Sequence, residues 1–242
     1  MQSSTRPEAL PALILPRREL LALAALGSLA QLTRAGASPV PEEPQVLDFA
    51  RFLELAVPRA RELVGDTSGS GQDRYLHALA ALASGLREVP QPQMRETTSK
   101  GASARTFLGV NECEAPFTVL HWRLDPGARI GLHPHLYGNV LTLCLEGEVR
   151  IQNFELVGER DFDTKESFRV RRSNDQQLLP GRMNLVNLEH GYVHGFCAGP
   201  AGARGLDLTT RLREKRSTPT LEVGAQALDE ARGIFEGRWR QD

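Results

Sequence analysis

Apolar residues recur at two different spacings along the chain, and the changes of spacing divide it into regions. Residues 45–63 and 74–86 carry apolar positions three or four residues apart, which predicts two amphipathic helices. From residue 106 onward, short apolar runs alternate with Gly, Pro and Asp turns, a pattern typical of β-strands in a sandwich or barrel. Residues 221–239 return to helical spacing. We therefore predict a linker and helical lead over residues 38–104, a β barrel over 105–213 and a helical tail over 214–242.

The first 37 residues have the layout of an export signal. Arg17 and Arg18 precede a modest apolar run over residues 20–32, and Ala35 and Ala37 form a small-residue cleavage pattern. This order is typical of a twin-arginine signal peptide. The run is shorter than the roughly 20 apolar residues of a transmembrane helix, so we expect no stable membrane insertion. We predict a periplasmic or otherwise exported protein; the alternative is an amphipathic N-terminal helix on a cytoplasmic one.

The composition excludes several classes of function. Hydrophobic residues make up 40% of the chain and charged residues 24%, an ordinary globular balance. The formal net charge is −1, so we expect no nucleic-acid partner. Three cysteines are too few for a disulfide-dense scaffold, although a Cys113–Cys197 disulfide would be compatible with an oxidising compartment. We expect a monomer that acts on small molecules.

The six histidines are unevenly placed, and four of them lie between residues 133 and 194. His133 and His135 are separated by one residue, so on a strand both side chains point to the same face. Turns with glycine at Gly127 and Gly147 bracket this pair. Two imidazoles that converge in this way predict a metal site, whereas solvated strand histidines are the simpler alternative.

A third ligand is expected from a later strand. His194 lies in a predicted strand, whereas His190 precedes a glycine and is expected in a turn. We therefore favour His194 as the ligand and leave His190 as the alternative. Asn139 and Val140 follow the His133–His135 pair where a carboxylate ligand would be expected, so the predicted donors are imidazoles alone. Imidazole suits iron, zinc, copper and nickel alike, and three protein ligands leave coordination positions open.

The segment over residues 117–147 reads FTVLHWRLDPGARIGLHPHLYGNVLTLCLEG. The spacing of its glycines and histidines matches the first cupin motif. The segment resembles the thiol dioxygenase branch of the cupins, closest to the plant cysteine oxidases and cysteamine dioxygenase. After His194, the sequence Gly-Leu-Asp-Leu over residues 205–208 lies at a spacing similar to the family's last core strand. The resemblance covers about half of the chain.

This resemblance implies a mainly β fold, a cupin (double-stranded β-helix or jelly-roll) barrel, to which the spacing adds N-terminal and C-terminal helices. It also implies Fe(2+) bound by His133, His135 and His194. The reaction implied is the oxidation of a small thiol or an N-terminal cysteine to a sulfinic acid by dioxygen. Two rivals are a metal-dependent cupin enzyme acting on a carbon substrate and a non-catalytic periplasmic cupin that binds a small ligand.

Four further residues are candidates for roles beside the metal. Tyr137 and Tyr192 flank the ligands in sequence and are assigned either a catalytic hydroxyl or a packing role. Asp207 is predicted to accept a hydrogen bond near the ligands, and the alternative is a position on the surface. Arg105 lies near the place of an arginine that grips the substrate carboxylate in animal-type cysteine dioxygenases. We therefore predict that Arg105 binds substrate, with an exposed strand-end arginine as the equal alternative.

Overall fold

A computed structural model describes residues 46–97, 104–111, 114–214 and 217–240. The predicted signal peptide over residues 1–37 and Cys113 lie outside these ranges, so export and the Cys113–Cys197 disulfide stay predictions. The described residues fall within one compact unit. None of the described helices is both long and apolar enough to cross a membrane.

Two helices form where the helical lead was predicted: α1 (Phe49–Gly65) and α2 (Gly69–Gly85). Each begins at a side-chain cap, because Asp48 accepts a hydrogen bond from the backbone of Arg51 and Ser68 accepts one from the backbone of Gly71. Their apolar faces pack on the sheet. The rings of Phe52 in α1 and Phe117 in the sheet lie 6.1 Å apart, centroid to centroid.

The rest of the described chain is almost entirely antiparallel β-sheet. The ten strands are β1 (Arg95–Glu96), β2 (Thr106–Asn111), β3 (Phe117–Leu124), β4 (Arg129–Pro134), β5 (Gly138–Leu156), β6 (Phe168–Leu178), β7 (Met183–Val186), β8 (Val193–Arg211), β9 (Thr220–Asp229) and β10 (Ile234–Arg240). Their order in the sheet is β1-β2-β3-β8-β5-β6-β10-β9, while β4 pairs with β8 and β7 pairs with β5. The mainly β fold class predicted from the sequence is confirmed.

The long strands β5 and β8 curve the sheet around an interior. They pair with each other along most of their length, with register shifts between Cys144 and Glu146 and between Gly147 and Val149. On either side of these shifts they exchange partners: β8 pairs with β4 in its first half and with β3 in its second. Bulges of this kind increase local twist and bend a strand. One face of the curved strands β5 and β8 points to this interior. The helices α1 and α2 cover the other face.

A glycine on β8 makes room for the largest interior side chain. A Cβ at Gly205 would collide with the ring of Trp122 on β3 and with the carbonyl of Leu143 on β5. Trp122 is fully buried and packs against Phe196, with the ring centroids 5.5 Å apart. Phe196 in turn lies 4.8 Å from the His194 ring, centroid to centroid, so a glycine at position 205 permits the aromatic packing next to that histidine.

The predicted C-terminal helix is wrong: residues 220–240 form the hairpin β9–β10. The edge of β6 offers unpaired backbone groups, and β10 pairs with it through Ile234 and Phe235. Gly233 takes a left-handed conformation (φ 63°) at the hairpin turn. Leu221 and Trp239 become buried in this arrangement. Tertiary pairing with an available sheet edge thus overrides the local helical spacing.

Candidate metal centre

Strands β4 and β8 bring three histidines together. His133 on β4 is the direct cross-strand partner of His194 on β8, and His135 follows β4 by one residue. One ring nitrogen from each of the three lies within 4.8 Å of the others. The Nε2 atoms of His135 and His194 are 2.7 Å apart. The structure thus brings together the three histidines that the sequence analysis had favoured as metal ligands.

Backbone contacts near each histidine orient its ring. The register of β4 against β8 shifts between Ile130 and His133, and β4 there approaches Gly195 so closely that a Cβ would lie 3.0 Å from the Ile130 carbonyl oxygen. Nδ1 of His133 lies 2.9 Å from the carbonyl oxygen of Gly131, a bond that fixes the ring with Nε2 as its free nitrogen. The backbone amide of His135 donates to the carbonyl of Tyr192 at 2.7 Å.

Burial keeps the three imidazoles neutral. It is the main cause that lowers the pKa of His133, His135 and His194, and for the last two the neighbouring histidines lower it further. Neutral imidazoles present lone pairs. Two lone pairs facing each other at 2.7 Å repel unless a proton or a cation lies between them. The donor set therefore fits a divalent transition metal such as iron, zinc, copper or nickel.

His190 lies outside this cluster. Its side chain is 70% exposed, and its Nδ1 is 3.9 Å from Oε1 of Glu155. Asn139 and Val140, at the positions expected for a carboxylate ligand, are both fully buried. Within the described part of the chain, no carboxylate joins the group of three histidines.

A cavity of about 540 Å³ reaches the cluster from solvent. His135 is the histidine that lines it. The other lining residues are Leu136, Arg160, Phe162, Leu188, Tyr192, Arg213 and Glu214. Leu136, Phe162, Leu188 and Tyr192 are its apolar and aromatic lining residues, and the charges lie on Arg160, Arg213 and Glu214. The cavity can admit a small molecule to a metal bound at His135.

The two tyrosines take different positions. Tyr192 lines the cavity, but its hydroxyl oxygen accepts a hydrogen bond from the backbone amide of Leu156 at 2.8 Å, and the Arg160 guanidinium lies 4.5 Å from its ring centroid. These contacts favour the packing role for Tyr192. The ring of Tyr137 is 6.5 Å from that of His135. Burial raises the pKa of both phenols, so both keep their protons at neutral pH.

Asp207 lies on the interior face of β8, between Leu206 and Leu208, which pack towards the helices. Its carboxylate accepts a hydrogen bond from the Thr142 hydroxyl at 2.7 Å. Burial raises its pKa to about 7. The surface position considered for Asp207 is therefore wrong, although no hydrogen bond among the described residues joins it to the histidines.

The structure does not bring Arg105 to the candidate site. Its side chain is 59% exposed, and its Nε donates to the Asp125 carboxylate at 2.8 Å. Asp125 belongs to the turn that precedes β4, whereas the histidines lie at the other end of that strand. Of the two readings of Arg105, the exposed strand-end arginine describes its position.

Sequence reasoning missed three residues near the histidines. Arg160 and Phe162 belong to the connection between β5 and β6, which carries no recognisable motif. Asn153 is a buried residue on β5 directly opposite His194. Asn153 continues the inward-facing positions of Val149 and Ile151, and an asparagine at such a position, where a hydrophobic residue would cost less to bury, is the one signal that could have identified it.

Comparisons with known proteins concern the fold. No family model matches the chain, and no curated protein matches it in sequence. Similar solved structures include an uncharacterised protein with a double-stranded β-helix domain from Klebsiella pneumoniae, at 17% identity over 50% of this chain and 87% of that one, with a TM-score of 0.36. KdgF from Halomonas sp. is 14% identical over 50% of this chain and 89% of its own, with a TM-score of 0.35.

A cupin superfamily protein from Desulfitobacterium hafniense is 17% identical over 52% of this chain and 93% of that one, with a TM-score of 0.33. Each of these three proteins covers about half of this chain. At such low identity the likeness concerns the fold alone.

Proposed function

We propose that the protein is an iron(II)-dependent thiol dioxygenase that converts a small thiol or an N-terminal cysteine to a sulfinic acid. The observation that carries the proposal is the cluster of three neutral imidazoles, without a carboxylate among the described residues, one of which, His135, lines an open cavity. Such a donor set leaves the full charge of a divalent ion uncompensated. An anionic sulfur ligand is the natural partner for that charge.

The three histidines would hold the ion through ring nitrogens. His133 is set for Nε2 by its bond to Gly131, and the Nε2 atoms of His135 and His194 already face each other. Iron(II) supplies a centre at which a thiol and dioxygen can react. The overall change, R–SH + O₂ → R–SO₂H, oxidises sulfur by four electrons and reduces dioxygen by four, so no further co-reactant is required.

The chain itself provides orientation and exclusion of water. Phe162, Leu188 and Tyr192 form an apolar wall of the cavity that His135 also lines. Arg160 holds this wall together, since its guanidinium donates to the carbonyls of Leu188 and Glu189 at 2.8 and 2.9 Å. A substrate positioned between these walls meets the open side of the histidine cluster, which supplies proximity rather than acid–base chemistry.

The test is anaerobic purification, metal analysis and iron loading, followed by oxygen uptake against a panel of thiols. The panel holds cysteine, cysteamine and a peptide with an N-terminal cysteine. We expect one dioxygen consumed per thiol and a product that gains two oxygen atoms by mass spectrometry. His194→Ala should abolish iron binding and oxygen uptake. His190→Ala, at an exposed histidine outside the cluster, should retain both.

Failure of every thiol to stimulate oxygen uptake after iron loading would overturn the proposal. Zinc or manganese in the purified protein, with turnover of a carbon substrate, would instead indicate another cupin enzyme. Ligand binding without any turnover would indicate a binding protein.

We also propose that the protein is exported by the twin-arginine route as a monomer. The paired arginines, apolar run and small-residue motif over residues 1–37 support this. N-terminal sequencing of the protein from a periplasmic fraction should find a chain that starts after Ala37. A mature chain that still begins at Met1 would contradict export.

A further inference from the structure

The loop between β7 and β8, residues 187–192, leads directly into the strand that carries His194. It ends at Tyr192, whose carbonyl accepts the His135 amide at 2.7 Å, and is followed after one residue by His194. Any shift of this loop therefore moves the backbone that carries two of the three histidines. Arg160 and Gln72 of α2 hold the first part of the loop at Leu188. Contacts from β5 hold its last part at Gly191, next to the histidines.

Asn153 is the more buried of the two β5 residues that make these contacts. It is 2% exposed and lies directly across from His194 in the β5–β8 register, so the two side chains share a face. Its Nδ2 donates to the carbonyl of Gly191 at 3.0 Å and to Oδ1 of Asn184 at 3.2 Å. Its Oδ1 accepts from Nδ2 of Asn184 at 2.8 Å and from Nδ2 of Asn174 at 3.1 Å.

These four hydrogen bonds use the whole capacity of a carboxamide, which has two donor hydrogens and two acceptor lone pairs. The reciprocal pair with Asn184 fixes the plane of the amide. With the plane fixed, the remaining N–H can point in one direction only, towards Gly191. A buried amide whose hydrogen bonds are all made holds its partners in fixed directions. An apolar side chain of the same size does not.

Gly191 is shaped to receive this contact. It has a left-handed conformation (φ 60°), and a Cβ there would lie 3.3 Å from Nδ2 of Asn153. Its backbone amide donates to Oε1 of Glu155 at 2.8 Å. Two residues of β5, Asn153 and Glu155, thus hold the carbonyl and the amide of one glycine, three residues before His194.

We propose that Asn153 is a positioning residue for the metal centre. Through the Gly191 carbonyl it fixes the loop over residues 187–192, and so sets the separation and orientation of the His135 and His194 rings. The inference rests on the proposed binding of a metal by the three histidines. Residues that orient metal ligands typically change metal affinity about 10- to 100-fold when they are replaced.

The experiment titrates Co²⁺ alone into the full-length protein and into Asn153→Asp, and records the visible absorption spectrum. The aspartate has the same shape and keeps the accepting oxygen, but it turns an oxygen towards the Gly191 carbonyl in place of a donor. We expect Co²⁺ to bind roughly tenfold or more weakly to the variant, with shifted or weakened absorption bands. Circular dichroism establishes that the variant is folded.

Asn111→Asp is the matched control. The half-buried Asn111 on β2 donates to the Pro90 carbonyl at 3.0 Å, its Nδ2 lies 3.0 Å from Nε2 of His121, and neither partner belongs to the loop over residues 187–192. It should keep the Co²⁺ affinity and spectrum of the natural protein. Gly191→Ala strains the same contact from the opposite side and should reproduce the effect of Asn153→Asp; it serves as the deciding variant if Asn153→Asp does not fold.

The outcomes separate the two proposals. Absence of Co²⁺ binding by the natural protein would overturn the metal site itself, and with it the role of Asn153. Binding by the natural protein, with the same affinity within twofold and the same spectrum in folded Asn153→Asp or Gly191→Ala, would overturn the positioning role alone.

Discussion

The carboxyl group of Asp207 should make the stability of this protein fall as the pH rises. The side chain lies inside the barrel, 6% exposed, with the Thr142 hydroxyl as a hydrogen-bond donor at 2.7 Å. Burial penalises the charged form, and the pKa rises from 3.8 to about 7. Asp207→Asn keeps the size of the side chain and the oxygen that accepts from Thr142, and it removes the titration.

The magnitude follows from the two pKa values. Between pH 4 and pH 7 the folded protein holds the proton while the unfolded chain has released it, so unfolding releases a proton and stability declines with rising pH. From pH 5 to the folded pKa is about 2 pH units, and each unit corresponds to about 1.4 kcal/mol. The natural protein should therefore lose about 3 kcal/mol more than Asp207→Asn between pH 5 and pH 8.

Urea denaturation of both proteins at several pH values from 5 to 8 measures this difference. A chelator is kept present so that metal binding does not contribute to the stability. The other titrating groups are shared by the two proteins, so their contributions cancel in the difference. A difference that stays constant across this range would refute the placement of a neutral carboxyl group in the barrel interior.

Three other substitutions test separate parts of the structure. Gly205→Ala should cost about 3 kcal/mol or prevent folding, because the Trp122 ring occupies the space for a Cβ; a melting temperature close to that of the natural protein would contradict this packing. Tyr75→Phe removes a buried hydroxyl contact from α2 to β8 and should cost about 1 to 2 kcal/mol in urea unfolding, with an unchanged transition as the contrary result. Arg105→Ala should leave Co²⁺ affinity unchanged, since the side chain is exposed; a marked loss of affinity would return Arg105 to the site.

The strands of the barrel were predictable because their signals are local. Residues 117–122 and 140–145 are short runs of apolar and β-branched residues bounded by turns, and they form parts of β3 and β5. The convergence of His133 and His135 follows from alternation along a strand and needs no knowledge of the fold. The choice of His194 over His190 also follows from local sequence, since a glycine adjoins His190.

The C-terminal hairpin could not be predicted in this way. Its apolar positions fit a helix as well as two strands, and the difference lies in the edge of β6, whose paired residues lie 63 to 69 positions earlier in the chain. The pairing of Ile234 and Phe235 with that edge contributes backbone hydrogen bonds that no local pattern encodes. The choice between the two positions considered for Arg105 needed the fold for a related reason, because its exposed side chain pairs with Asp125, twenty residues later, in the turn before β4.

The order of residues along the chain is enough to predict the mainly β character, the helical lead and the three converging histidines. These features depend on the spacing of residues within one strand or helix, where geometry is regular. The burial of Asp207 beside Thr142, the contact of Asn153 with Gly191 and the pairing of the tail with the sheet arise only when the chain is folded. Each of these depends on which distant strands become neighbours, and that choice is made by the packing of the whole chain.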